Sequence, residues 1–211
     1  MVALNGLELM TFLVERMKDD FRPYLSSVIP VVTDRLGDSK DAVREKAQLL
    51  LSTLMENSIT PNNMFERLLP AFSHKNGKVR EEVMTCLQNT LNNHGATSVT
   101  VSRLVPHIVK LLSDPTSLVR DCAFNTLIEC YKHYGDRLRA DLSKKHNIPP
   151  ARLPALMTRF DDVRDTGLLL PSATSVTGPP EGLVAGRQGE KGGKRKGDLG
   201  REREKMGKEK G

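Results

Sequence analysis

Apolar residues return along this chain with the period of an α-helix, and they do so in blocks. In "DAVREKAQLLLSTL", Val43, Ala47, Leu50, Leu51 and Leu54 fall at i, i+4, i+7, i+8 and i+11, one face of a helix. "GKVREEVMTCL" fills the same slots with Val79, Val83, Cys86 and Leu87. "SLVRDCAFNTLIEC" fills them with Val119, Ala123, Leu127 and Cys130. Every block opens on Val-Arg-acid: Val43-Arg44-Glu45, Val79-Arg80-Glu81 and Val119-Arg120-Asp121. The arginines are 36 and 40 residues apart, a period that marks stacked helical units. In this pattern Cys86 and Cys130 occupy core slots and act as small apolar side chains.

A second apolar segment precedes each block: "VIPVVTDRL", "LLPAFSH" and "LVPHIVKLL", around Pro30, Pro70 and Pro106. Proline is tolerated in a first helical turn, so each segment reads as a helix opening near its proline. The turns between segment and block, "GDSKD", "HKNG" and "SDPTS", contain Gly37, Gly77 and Pro115. The unit is helix A, tight turn, helix B. The pattern predicts an opening helix over 3–18, then pairs at 22–36 with 40–57, 61–73 with 77–93, 99–113 with 116–133, and 136–145 with 150–164. No alternating strand pattern occurs, so the class is all-α. The opening helix has no A helix before it, and Leu4, Leu7, Phe12 and Leu13 are expected to line an uncovered apolar groove.

Charge changes the picture only at the end of the chain. The net charge of the 211 residues is +6, but 185–211 hold ten Lys/Arg against five Asp/Glu, and the first 184 residues hold 22 against 21. The basicity therefore sits in a tail with eight Gly in 27 residues and few large apolar groups. Such a composition buries too little surface to offset its ordering entropy. The chain divides into a helical array over 1–165 and a disordered tail rich in Gly, Lys, Arg and Glu over 166–211. Lysine runs such as "KGGKRKGDLGREREKMGKEKG" bind phosphate backbones or serve as localisation signals. This one is interleaved with acids and has no aromatic to stack on bases, so nucleic acid is not the expected partner.

Candidate chemistry is sparse. There is no phosphate loop, no GxSxG elbow and no HExxH, and the five histidines are scattered. His107 reads as a packing residue and His133 as a surface partner of Glu129. The three cysteines have no CxxC spacing, which fits neither a disulfide framework nor a metal site and suggests a reducing compartment. No stretch is apolar enough to cross a membrane, and the N-terminus lacks the basic and small-residue marks of a signal peptide. A non-enzymatic protein without metal or cofactor is expected.

The turns identify the repeat type. HEAT repeats carry an aspartate in the turn and an arginine six residues later, which form a ladder between neighbours. Asp38 with Arg44, and Asp114 with Arg120, match that spacing. His74 stands six before Arg80, so the middle rung is expected to be broken. These five positions, Asp38, Arg44, Arg80, Asp114 and Arg120, are assigned a structural role, with ligand binding as the alternative for the arginines.

"RLGDSKDAVRE", "FSHKNGKVREE", "LVPHIVKLLSDPTSLVRDCAFNTLIECYKHYGDRLRADLSKK" and "RLPALMTRFDDV" resemble the first TOG domain of the CLASP (cytoplasmic linker-associated) proteins, from about Leu4 to Val163. The resemblance implies a HEAT-repeat α-solenoid shaped as a TOG-like paddle. It also implies tubulin or microtubules as partner, with other plus-end or kinetochore proteins as further candidates, and a place on cytoplasmic microtubules and the spindle. Carried onto this sequence, the tubulin-binding edge is Ser39, Lys40, Lys75, Asn76, Lys78, Pro115, Thr116 and Ser117. Stacking would align the lysines into a basic strip for an acidic partner; the plainer reading is that they solvate exposed turns. A generic HEAT scaffold for another protein is the alternative function. The family pattern also places roughly one and a half further repeats before Val2, including a turn with tryptophan. This chain has no Trp, and its tail is unlike the family's Ser/Arg-rich linker, so the array is expected to be truncated.

Overall fold

The computed structural model describes residues 2–174, within the compact unit Met1–Val176; the second unit, Thr177–Gly211, lies outside the described residues, and with it most of the expected tail. Among the described residues ten α-helices follow one another: α1 (Val2–Met17), α2 (Leu25–Arg35), α3 (Asp41–Asn57), α4 (Pro61–Leu68), α5 (Gly77–His94), α6 (Val101–Leu111), α7 (Ser117–Tyr134), α8 (Asp136–Lys145), α9 (Leu153–Asp165) and α10 (Pro171–Thr174). Short 3₁₀ segments occupy Lys18–Tyr24, Leu69–Ser73 and Ala96–Ser98. Among the described residues there is no strand. The B helices α1, α3, α5, α7 and α9 form one layer, in which α1 packs on α3, α3 on α5, α5 on α7 and α7 on α9. The A helices α2, α4 with its 3₁₀ extension, and α6 lie against α3, α5 and α7 respectively. This is the helical solenoid expected of stacked pairs.

The core follows the helical pattern. Val43, Ala47, Leu50, Leu51 and Leu54 on α3 are buried, as are Val79, Val83, Cys86 and Leu87 on α5 and Val119, Ala123, Leu127 and Cys130 on α7. Helix α9 is anchored by Phe160, whose ring stacks on Tyr131 with centroids 4.2 Å apart. Helices α5 and α7 stop where a glycine turns left-handed, and at Gly135 (φ +57) the amide still donates to the Tyr131 carbonyl at 2.8 Å.

Four expectations are corrected. The prolines do not open the A helices: Pro30 and Pro106 lie inside α2 and α6, and Pro70 lies in a 3₁₀ segment. Pro30 and Pro106 face solvent, where water can serve the carbonyls that lose their intrahelical donor. The groove beside α1 has different walls. Of the four residues expected to line it only Leu7 does so; Leu4 packs against the core, and Phe12 is 67 % exposed outside the groove. His133 is buried, not a surface residue, with Nε2 3.2 Å from Asn92 Oδ1. Finally, residues 166–174, assigned to the tail, pack on α7: the Leu170 amide donates to the Lys132 carbonyl at 2.9 Å and Ser172 Oγ to the His133 carbonyl at 3.0 Å. They complete the acceptors left open at the end of α7.

Candidate protein-docking edge

The three turns are built alike. In each, one side chain accepts a hydrogen bond from the amide two residues on: Asp38 Oδ1 from Lys40 (3.0 Å), His74 Nδ1 from Asn76 (3.1 Å) and Asp114 Oδ1 from Thr116 (2.9 Å). The acceptor fixes the extended backbone from which α3, α5 and α7 start, at Lys40, Asn76 and Thr116. The arginine six residues further on donates back to the carbonyl of that same turn residue: Arg44 to Asp38 (2.7 Å), Arg80 to His74 (2.6 Å) and Arg120 to Asp114 (2.7 Å). Histidine at 74 therefore does the local work of the aspartate.

What it lacks is a carboxylate for the preceding repeat. Arg80 reaches forward and forms a two-pronged pair with Asp114, Nε at 2.7 Å and Nη2 at 2.9 Å. The residue equivalent to Asp114 in the second turn is His74, which offers no carboxylate, and Arg44 pairs instead with Asp41 of its own helix and with Glu82, 3.3 Å away. The gap in the ladder thus falls on the rung of Arg44, not on that of Arg80. Burial would raise the Asp114 carboxyl, but the hydrogen bonds from Arg80 and Thr116 outweigh it and hold the group below the usual carboxylate range.

Neighbouring turns are stitched directly. Asn76 Nδ2 donates to the Gly37 carbonyl at 3.0 Å, while its Oδ1 accepts from the Lys78 amide at 2.9 Å. Gly37 allows that approach, since a Cβ there would stand 2.5 Å from Asn76 Nδ2 and 2.8 Å from Val79 Cγ2. A Cβ on Gly77 would stand 3.3 Å from Thr116 Oγ1, so the second turn also lies close to the third, though less tightly. The N-termini of three long helices consequently share one edge, with their partial positive charge turned outward.

On that edge Ser39, Lys40, Lys75, Asn76, Pro115, Thr116 and Ser117 are exposed. Lys78 differs: it is half-buried, and its ammonium lies 2.9 Å from Glu81 and 3.7 Å from Glu82. The cationic groups open to a partner in these turns are those of Lys40 and Lys75. Sequence reasoning missed Leu118, 62 % exposed beside Ser117. The signal was available, because Leu118 occupies the outward slot held by Ala42 and Lys78 in the other copies.

The arrangement suits contact with a macromolecule more than chemistry. Among the described residues no group of three or more His, Cys, Asp or Glu could hold a metal ion. Burial pushes the thiols of Cys86 and Cys130 up to about 12, so both are protonated at neutral pH. No described helix is long and apolar enough to cross a membrane.

Known proteins share this architecture. A family model described as CLASP N terminal matches residues 1–148. CLIP-associating protein 1-A of Xenopus laevis is 47 % identical over 187 residues, covering 89 % of this chain and 13 % of that protein, so the chain spans only a small part of its relative's length. The crystal structure of the MAST/Orbit N-terminal domain superposes with a TM-score of 0.75 at 44 % identity, over 77 % of this chain and 73 % of that one. A structure described under TOG–tubulin binding specificity in microtubule dynamics and mitotic spindle formation matches with a TM-score of 0.65 at 22 % identity, over 75 % of this chain and 60 % of that one, a likeness of fold.

Proposed function

The chain belongs to the CLASP family, and from that premise we propose that its turn edge binds tubulin, so that the protein regulates microtubule dynamics without catalysing a reaction. The observation that carries the reading is the stitched edge: three helix N-termini held in register by Asn76–Gly37 and Arg80–Asp114, with Lys40 and Lys75 projecting from it. A rigid array of partial and full positive charges complements an acidic protein surface. Ser39, Asn76, Thr116 and Ser117 supply exposed polar groups along the same line, and Pro115 and Leu118 an apolar end. Lys78 is assigned to holding Glu81 and Glu82 in place, the second of which also accepts from Gln48 at 2.9 Å. Its place would be on cytoplasmic microtubules, the spindle included.

The test is a charge reversal that spares Lys78. Lys40→Glu with Lys75→Glu is compared with the parent chain and with Lys194→Glu, Arg195→Glu, Lys196→Glu in the tail. Co-sedimentation with microtubules and co-elution with free tubulin are measured, with circular dichroism as folding control. An exposed attractive pair contributes about 0.2–1 kcal/mol, and reversal adds repulsion of similar size. The edge variant should therefore lose about 1–2 kcal/mol, some 5- to 30-fold in affinity. The tail variant should lose less, and that loss should vanish at high salt. Full binding by the edge variant beside failure of the tail variant would sink the reading.

A further inference from the structure

A second repeated phrase runs through the A helices and has no part in the turn edge. Helices α4, α6 and α8 each carry an arginine directly before a buried leucine: Arg67-Leu68, Arg103-Leu104 and Arg137-Leu138. Four positions after each leucine stands another buried apolar residue, Phe72, Ile108 and Leu142. The arginines are 36 and 34 residues apart, and all three are exposed. They therefore hold one place on three successive helices. With neighbouring axes about 10 Å apart, Arg67 and Arg137 stand ~20 Å from each other with Arg103 between them.

The middle arginine is occupied and the outer two are free. Arg103 Nη1 meets Glu66 of the preceding helix at 2.6 Å. Glu66 stands four residues before Pro70, and the same place before Pro30 and Pro106 is held by Ser26 and Ser102. The equivalent counterparts of Arg67 and Arg137 are thus serines, and among the described residues neither guanidinium has an ion-pair partner. Beside Arg137 and Ser102 lies a hollow of about 310 Å³ between α6 and α8, walled by Val101, Val105, Leu138 and Tyr134. The Tyr134 hydroxyl is already engaged by the carbonyls of Ala96 and Val99. Asp141 also lines the hollow, but its carboxylate is held by Lys145 at 2.5 Å and lies 3.6 Å from His146. Asp136, next to Arg137, accepts from the Tyr131 hydroxyl at 3.0 Å.

We propose that this face docks an extended acidic segment of a partner protein, with carboxylates on Arg67 and Arg137 and an apolar side chain in the α6–α8 hollow. Arginine suits the task because its planar fork takes a carboxylate in two parallel bonds. An extended chain advances about 3.3 Å per residue, so acids about six residues apart span the outer arginines. The apolar residue stands one or two places before the second acid, where the hollow adjoins Arg137. Nucleic acid fits less well, because Glu66 sets a negative charge in the middle of the row, where a continuous phosphate backbone would meet it. The turn edge is built from other residues, so the two contacts are separable.

The test is fluorescence anisotropy of a labelled peptide, Glu-Glu-Ser-Ser-Leu-Val-Glu-Glu, titrated with the 211-residue chain at low salt. The parent should bind with a Kd on the order of 50 µM. Arg67→Glu with Arg137→Glu, both at exposed positions, should weaken binding about 10-fold with unchanged circular dichroism. A peptide with glutamine for every glutamate, or with serine for Leu-Val, should bind several-fold more weakly than the original. Lys40→Glu with Lys75→Glu, and Lys194→Glu, Arg195→Glu, Lys196→Glu in the tail, should each keep the peptide. No binding by the parent at several hundred micromolar overturns the proposal, as does full binding by the double arginine variant. So does loss of the peptide in the edge or tail variant, which would place it elsewhere. A short single-stranded oligonucleotide that binds more tightly than the peptide through the same two arginines would also overturn it.

Discussion

Asp114→Ala should be among the most costly single changes on the turn edge. The carboxylate accepts from Arg80 Nε, Arg80 Nη2 and the Thr116 amide, and the two side chains of the pair are 12 % and 5 % exposed. Breaking a buried pair from one side typically costs 3–5 kcal/mol because it leaves a charge without its partner. Here Arg80 keeps the carbonyls of His74 and Lys75 at 2.6 and 3.3 Å, which lowers the expected loss to about 2–3 kcal/mol. Asp114→Asn keeps an acceptor for Thr116 but removes the charge, and should cost about 1–2 kcal/mol. Urea unfolding followed by circular dichroism reads both; with a slope of about 2 kcal/mol/M, the alanine variant should move the midpoint by about 1–1.5 M. The acid side gives a second readout. The folded-state pKa of Asp114 is depressed, so its contribution is complete above the unfolded value of about 3.9 and is lost as pH falls through the lower folded value. Asp114→Asn should therefore flatten the dependence of the midpoint on pH below about 4. Arg44→Ala breaks no such rung and should cost less than Asp114→Ala. An Asp114→Ala midpoint within 0.2 M of the parent's, about 0.4 kcal/mol at that slope, would refute the energetic reading of the ladder.

The remaining predictions concern the same repeats. Installing the missing carboxylate with His74→Asp should give Arg44 a rung and raise stability by up to about 1 kcal/mol, read as a higher urea midpoint; a drop would show that the Asp34–His74 approach at 3.6 Å matters more. Gly37→Ala forces a Cβ to within 2.5 Å of Asn76 Nδ2, so thermal unfolding should show a loss of about 1–3 kcal/mol together with weaker tubulin binding, since the turns no longer stitch. With a thiol reagent at pH 8, Cys86 and Cys130 should stay unreactive until the protein unfolds, while half-buried Cys122 reacts first and slowly; two thiols reacting fast in the native protein would contradict the packing.

The periodic positions were enough to determine the helices, their pairing and the core. Val43, Val79 and Val119, with their partners four, seven and eight residues on, fix which face of each B helix turns inward, because a helix buries a stripe set by its 3.6-residue repeat. The positions of the three turns were legible from Gly37, Gly77 and Pro115 between the apolar segments, whereas the choice of turn residues for a binding edge came from the family resemblance. Rung assignment was not, because the forward partner of an arginine belongs to another repeat: only packing places Asp114 against Arg80 and Glu82 against Arg44. Lys78 could have been told from Lys40 and Lys75, because Glu81 and Glu82 stand three and four residues after it on a helix that the pattern already predicts. His133 looked like a surface residue until Asn92 of the neighbouring helix and the returning 166–174 segment met that end of α7. For the ladder and for His133 the local pattern depends on residues within one or two turns of helix, whereas the outcome depends on groups some 34 to 41 positions away that a one-dimensional period does not bring together.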